Sequence, residues 1–480
     1  MTNSFADFWR SPGIAFVPDA DPGRGLIINR DRVERLRRPV RMRLSPSLTP
    51  EWLRDEAARW VFLPSLATGP VKGEPLAWFV DQTREFPAIL AAEGRVVFQF
   101  DPEEALDGLL FERYCRPARP YTTLLPFHYH VVPGDVRVAI HRLVKGVLSR
   151  FRRPVFPAWP MDGAVEMLRE VVWRAFERLQ GRQPRPSFWP DGKPYAVTLT
   201  HDVDTSEGYP QIPEFLAIEK AHGVTSCWNV VLRSCVAHLS VLDGLAGAGH
   251  EIGLHGYSHD NRLAFLEPEA MRRRFEACQG ICREYGIRGF RSPSLCRTPA
   301  LFEMIAERFD YDSSCPDTES GTGCCTVYPF FRSPSVTAED RGSRIEDRDG
   351  RRPLPSSILD PRRDRPPLLE LPLSVPLDSA LIMRGYSPTR ILRAWRAKIA
   401  WIRRVGGLAV VGVHPERHFS GNPGMLAAYD RLLDFVCADR GAWIAKPREI
   451  ARWWRDQSGA SGLKNGGSGL WVVGFGEVRE

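Results

Sequence analysis

The stretch that most constrains this chain is Tyr195-Ala-Val-Thr-Leu-Thr-His-Asp-Val-Asp-Thr205, an apolar, β-branched run that stops at two carboxylates one residue apart. It follows the turn formers Pro190-Asp-Gly-Lys-Pro194, so it reads as a buried strand entered from a loop. Asp202 and Asp204 then stand at the strand's end, where loops converge above a rigid sheet and α/β folds bind their ligands. Residues i and i+2 of a strand share a face, so both carboxylates can look into one site. A second short strand, Glu251 to His255, ends in an imidazole, and His259 follows four positions later. If the chain coils into a turn after His255, the two rings face one point. One carboxylate and two imidazoles are three protein ligands, the number that leaves a position open on a catalytic zinc-like ion.

Further along come Phe290-Arg-Ser-Pro293, Tyr311-Asp-Ser-Ser314 and an apolar run closing on Val411-Gly-Val-His414. Together with Thr200-His-Asp-Val-Asp204 and His255-Gly-Tyr-Ser-His259, in that order, these segments resemble the five motifs of the polysaccharide deacetylase (NodB-homology) superfamily. The resemblance spans residues 190–455 and is silent on the first 150. It implies that Asp204, His255 and His259 hold one divalent ion, zinc or else cobalt or nickel. It further implies that Asp202 is the base, that Arg291 pairs with it, and that His414 protonates the leaving amine. The carboxylate that orients His414 is then expected to be Asp312, with Asp317 as the second choice.

Three departures from the family pattern stand out. Most members place the two acidic residues side by side, whereas here Val203 intervenes, as in one branch. Ser294 occupies the place of a frequent tyrosine, although a backbone N–H there can still serve an oxyanion. The tryptophan usual in the aspartate motif is missing, which leaves one side of the substrate groove undefined. The implied activity is hydrolysis of an N-acetyl amide on an amino sugar or glycan precursor, with a carbohydrate as partner. Alternatives are hydrolysis of another C–N bond in a cyclic amide or imide, and a catalytically silent carbohydrate-binding barrel. An iron oxygenase meets the ligand count but gives Asp202 and His414 no role.

At 480 residues the chain is too long for one ordinary domain, and two are expected. Residues 1–150 read as a smaller α/β domain of unnamed role, with His128 and His130 on one face of a strand. Residues 151–193 read as a helical and Pro-rich linker, 194–456 as the catalytic unit, and 457–480 as a tail. Alternating strand-like and helix-like runs from Tyr195 onward argue for a parallel sheet or barrel, which the resemblance sharpens to a distorted, incompletely closed (β/α) barrel. Residues 332–367, crowded with Arg, Asp, Glu and Pro, read as a flexible charged insertion, a solvated loop or a substrate-facing lid.

The basic helix from Pro388 to Val405 is expected to pack its apolar face on the barrel rather than touch a membrane. His201, Glu370 and His418, near the motifs, read as structural. A formal charge of +7 is modest for this length and reads as a solvated Arg-rich surface, with no nucleic-acid partner. No run reaches the eighteen apolar residues of a membrane span. The first ten residues lack a basic region followed by an apolar core, and the ten cysteines show no zinc spacing or dense disulfide framework. Those features lead to the expectation of a cytoplasmic protein with reduced thiols.

Overall fold

Short apolar runs separated by turn formers give the first part of the chain its strands. The computed structural model describes residues 16–18, 25–36, 38–53, 59–80, 85–92, 94–116, 119–124, 129–148, 156–182, 185, 187–319, 321–332 and 367–457. Strands Phe16–Pro18 (β1), Gly25–Ile28 (β2), Val40–Leu44 (β3), Arg59–Val61 (β4), Glu74–Val80 (β5), Glu85–Ala92 (β6) and Arg95–Phe98 (β7) form one sheet in the order β1-β2-β7-β6-β5-β3-β4. The β1–β2 and β2–β7 pairs are parallel and the others antiparallel.

Helix Pro102–Leu110 (α1) starts where Asp101 accepts the backbone N–H groups of Glu103 and Glu104. Helices Gly134–Leu148 (α2) and Ala164–Gln180 (α3) follow. The residues around His130 form no strand: Tyr129–Val131 is a single 3-10 turn. Pro126 and Pro133 flank it, and a proline supplies no ladder donor. His128 lies outside the described residues.

The second sheet contains Tyr195–Val203 (β8), Cys227–Val230 (β9), Glu251–Leu254 (β10), Gly289–Phe290 (β11), Tyr311–Asp312 (β12), Phe330–Arg332 (β13), Leu368–Glu370 (β14), Leu408–Val413 (β15) and Ala442–Ile444 (β16). Its order is β13-β14-β12-β11-β10-β9-β8-β15, with β16 also on β8, and every pair but β13–β14 is parallel. Every residue of β8 is buried, as expected of a strand covered on both faces.

The sheet curls until the segment after β14 meets β15. The Val375 N–H bonds the Val410 carbonyl at 3.1 Å, and the Ser374 side chain bridges the Leu408 carbonyl and the Val410 N–H. A side chain thus stands in for a ladder, and the result is the distorted, incompletely closed barrel expected.

Among the helices, Ile212–Ala221 (α4), Asp378–Ile382 (α5) and Pro388–Val405 (α6) matter most below. The apolar face of α6 is buried through Ile391, Leu392, Trp395, Ile399 and Ile402, so this basic helix packs on the barrel. The amphipathic segment Glu267–Tyr285 forms two helices, Pro268–Ala277 and Gln279–Glu284, divided at Cys278. Of the charged insertion expected over 332–367, Arg332 instead ends β13 and is buried, and residues 333–366 lie outside the described residues; of the tail expected over 457–480, Gln457 ends the last helix and 458–480 lie outside them.

One apolar cluster joins the two sheets. Helix α3 packs on β2, β4, β7 and α1, while its Glu166 accepts the Thr326 hydroxyl at 2.7 Å and the Val327 N–H at 3.0 Å. Just beyond α1, Glu112 receives both Nε and Nη2 of Arg297 and the Gly323 N–H. Burial alone would raise the Glu112 carboxyl, but the Arg297 charge outweighs it and holds the group below its usual range. Such a pair stabilises the fold at neutral pH and is lost as pH falls through the lowered value. Glu112→Gln leaves Arg297 buried without its counter-charge, and we expect a loss of about 3 kcal/mol, read as a urea midpoint shifted to lower concentration.

Candidate metal centre and active site

Parallel strands bring their carboxyl ends to one rim, and the motif residues collect there. Asp202 is the penultimate residue of β8 and Asp204 follows it; His255 follows β10, Arg291 follows β11 and His414 follows β15. Side-chain alternation sorts β8 into two jobs. His201 faces the helix layer, stacked on Trp228 with ring centroids 3.9 Å apart and bonded to Glu219 of α4 at 2.7 Å. Thr200 and Asp202 face the barrel interior, where both meet Arg291.

Arg291 is itself buried and fully engaged. Its Nη1 donates to Asp202 Oδ1 at 2.9 Å and to Thr200 Oγ1 at 2.7 Å, its Nε to the Ser313 carbonyl at 3.0 Å, and its Nη2 to Ser313 Oγ at 2.9 Å. Asn229, paired with Asp202 across β8 and β9, donates a further bond to Asp202 Oδ1 at 2.7 Å. Burial pushes the Asp202 carboxyl up, but the Arg291 charge prevails and holds it below the ordinary carboxylate value. Asp202 is therefore an ionised, aimed carboxylate.

Asp204, His255 and His259 converge, with one candidate ligand atom from each lying within 4.8 Å of the others. Asp204 Oδ1 lies 3.3 Å from His255 Nε2 and 3.1 Å from His259 Nε2. The His255 Nδ1 is 2.8 Å from the Arg291 carbonyl, an acceptor only, so Nδ1 carries the proton. In the neutral ring Nε2 then presents a lone pair to a carboxylate oxygen. Two acceptors facing each other in a buried place are the arrangement a cation resolves, and the donor set of two imidazoles and one carboxylate suits a divalent ion.

The other ring has a partner from outside the barrel: the Tyr129 hydroxyl, in the 3-10 turn before α2, lies 2.8 Å from His259 Nδ1. The turn is fastened nearby, where Asn261 donates to Thr122 Oγ1 at 3.0 Å and the Arg137 guanidinium sits 5.4 Å from the Tyr129 ring centre. Nothing in the sequence pattern marks Tyr129, because it is 130 positions from its partner.

His414 requires a correction. Its Nδ1 lies 2.6 Å from Asp378 Oδ1, and its backbone N–H donates to Asp378 Oδ2 at 2.9 Å. Asp378, not Asp312 or Asp317, orients the ring, and the Ser420 hydroxyl donates to the same carboxylate. Asp312 fails by one position: Ser313 faces Arg291, so the residue before it faces away and accepts the Ser314 N–H and hydroxyl instead. Burial and the neighbouring Glu370 raise the Asp312 carboxyl well above its usual value. Asp317 pairs with Lys398 of α6. Asp378 reaches His414 because the closing contact sets Val375 beside Val410, and both chains run on to the rim.

Burial would make the His414 ring neutral, but Asp378, with help from Asp204 and Asp202, lifts it to about 10. Beside it, Glu416 accepts the Thr205 N–H at 2.9 Å and so pins the loop that follows Asp204. Burial, then the Asp204 charge, pushes the Glu416 carboxyl up to about 8. Glu370 bonds the Cys315 N–H and Arg332, which makes it structural as expected. Ser294 and Leu295 both adopt positive φ, at 50° and 54°, in the turn after Pro293. Neither is glycine, so the turn holds a backbone conformation that L side chains rarely adopt, and the Leu295 N–H closes it on the Ser292 carbonyl at 2.9 Å.

Tyr129→Phe removes the hydroxyl that faces His259 while keeping the ring. We expect zinc affinity, measured by competition with a chromophoric chelator, to fall about 10- to 100-fold with unchanged thermal stability of the metal-free protein.

Residues 190–307 match the family model described as polysaccharide deacetylase. A curated peptidoglycan deacetylase from Helicobacter pylori is 23% identical over 260 residues, half of this chain and 82% of that protein. Similar solved structures include a protein assigned as a polysaccharide deacetylase from Mycobacterium smegmatis, 24% identical with a TM-score of 0.44, covering 57% of this chain and 95% of that one. Another is a family 4 carbohydrate esterase from Streptomyces lividans, 14% identical with a TM-score of 0.33, covering 52% and 92%. The segment that carries Asp202, Asp204, His255, His259 and Arg291 lies within the match to the polysaccharide deacetylase family model.

Proposed function

We propose that this protein is a metal-dependent hydrolase that removes the N-acetyl group from an amino sugar in a glycan or glycan precursor. The observation that carries the reading is the flanking of the Asp204, His255 and His259 cluster by two tuned groups, Asp202 held ionised by Arg291 and His414 held charged by Asp378. The family match and the peptidoglycan deacetylase relative support the same chemistry. Asp204, His255 and His259 would hold one divalent ion, zinc before cobalt or nickel. Such an ion, when bound, polarises a scissile carbonyl and acidifies water.

The protein's own residues divide the proton transfers. Asp202, whose Oδ1 is held by Arg291 and Asn229, accepts the proton of the attacking water. His414 enters the reaction already charged and donates its Nε2 proton to the departing nitrogen as the C–N bond breaks. Acetate and a free amine are the products. Pairs of groups with environments that push their proton affinities apart are the usual sign of such an acid–base division.

The test begins with elemental analysis of the purified chain beside His255→Ala/His259→Ala, followed by acetate release from N-acetylglucosamine oligomers. We expect about one equivalent of metal, lost in the double variant, and a fall in kcat of about 10²- to 10⁴-fold in Asp202→Asn. A wild type that stays metal-free after incubation with zinc, cobalt and nickel would overturn the proposal.

The pH profile offers a second check. His414 donates only while protonated, so kcat/KM falls as pH rises through its proton affinity. Asp378→Asn removes the charge that raises that affinity, and the alkaline limb should move to lower pH by about 1 unit or more.

A further inference from the structure

Helix α2 displays an apolar stripe to solvent where a globular protein would hide one. Val136, Ala139, Ile140 and Leu143 stand at the i, i+3, i+4 and i+7 spacing of one helix face, and all four are exposed, Leu143 at 71%. Val138 on the opposite face is buried. Leu124 and Val131, from the turns that lead into the helix, add exposures of 72% and 71%. Apolar side chains exposed this fully and clustered in this way mark an interaction surface.

Charge says what kind. Residues 116–160 contain eight Arg or Lys and a single carboxylate, Asp135. That excess equals the formal charge of +7 of the whole chain, so the remaining residues balance. An apolar helix face within a segment of net charge +7 matches the design of helices that lie in a membrane interface, apolar side chains among the acyl chains and cations at the headgroups. Among the described residues no helix is long and apolar enough to cross a membrane, so the contact is peripheral.

Placement ties the surface to the site. Tyr129 and Thr122 reach His259 and Asn261 on the metal-centre side. On the other side, Arg142 Nε donates to the Ile382 carbonyl at the end of α5, the helix that carries Asp378. At Gly134 a Cβ would come within 2.3 Å of His418 Nδ1, so the helix start lies directly on the loop after His414. We infer that the exposed face of α2 and its leading turns docks on an anionic lipid bilayer, setting the mouth of the barrel against the membrane. A lipid-linked amino sugar is then the substrate class; this last step rests on the deacetylase reading, whereas the docking does not.

The experiment is co-sedimentation of the full chain with vesicles of phosphatidylcholine alone and with one-third phosphatidylglycerol, for wild type and Ile140→Asp/Leu143→Asp. Both changes fall on exposed positions, and circular dichroism melting verifies the fold of the variant. The expected result is partition onto the anionic vesicles at low salt, weakened at least tenfold in the variant and by 0.5 M NaCl. No sedimentation with either vesicle overturns the inference, as does equal binding by wild type and variant. Sedimentation velocity without lipid covers the rival occupant: a dimer that the variant dissolves would assign the face to a second copy and overturn the bilayer. Acetate release from soluble N-acetylglucosamine oligomers, measured in parallel on both proteins, should be equal. Its absence in both, with vesicle binding intact, would sink the deacetylase reading alone.

Discussion

A single buried guanidinium organises the barrel rim. Arg291 draws Thr200 and Asp202 of β8 together with Ser313 beyond β12, so three strand ends share one cation. Arginine suits the task because its flat fork of donors keeps its charge at any ordinary pH and bonds in several fixed directions at once. The Arg291 carbonyl also accepts the His255 Nδ1 proton, so one residue fixes Asp202 through its side chain and the tautomer of a candidate metal ligand through its backbone. Electrostatics and geometry are therefore not separable here. A lysine in its place would supply charge to Asp202 and lose the ties to Ser313.

Much of this was legible in the sequence because it is local. The strand Tyr195–Val203, the two carboxylates at its end and the pair of histidines four apart are short-range patterns, and parallel pairing alone carries them to one rim. Helix α6 likewise showed its buried face in its spacing. What stayed hidden depends on contacts between distant segments. Asp378 has no motif around it and lies 36 positions from His414, and the barrel seam that joins them is made by one backbone bond and one serine. The choice of Asp312 failed on a single alternation of side-chain direction. The 3-10 turn at Tyr129 follows from its flanking prolines, a local signal that outweighs the alternation of His128 and His130.

The N-terminal portion is more than an appendage. Its sheet shares an apolar core with the barrel, Glu112 neutralises Arg297, and Tyr129 stands against a candidate metal ligand. The family model begins at residue 190, so the support for His259 comes from chain that lies outside the matched segment. This is a physical reason for the two parts to remain fused: the barrel's centre is completed by a segment it does not encode.

The seam between β14 and β15 has its own consequence. Asp202 and the candidate ligands stand on the continuous run of strands from β8 to β11, whereas His414 and Asp378 stand across the join that Ser374 and Val375 close. A molecule gripped by both sets spans that join and adds to it the contacts a missing ladder would have made. By mass action, whatever binds across the seam favours the closed barrel over any opened form. Occupancy and closure are then one equilibrium, and the site acts as the clasp of the fold that holds it.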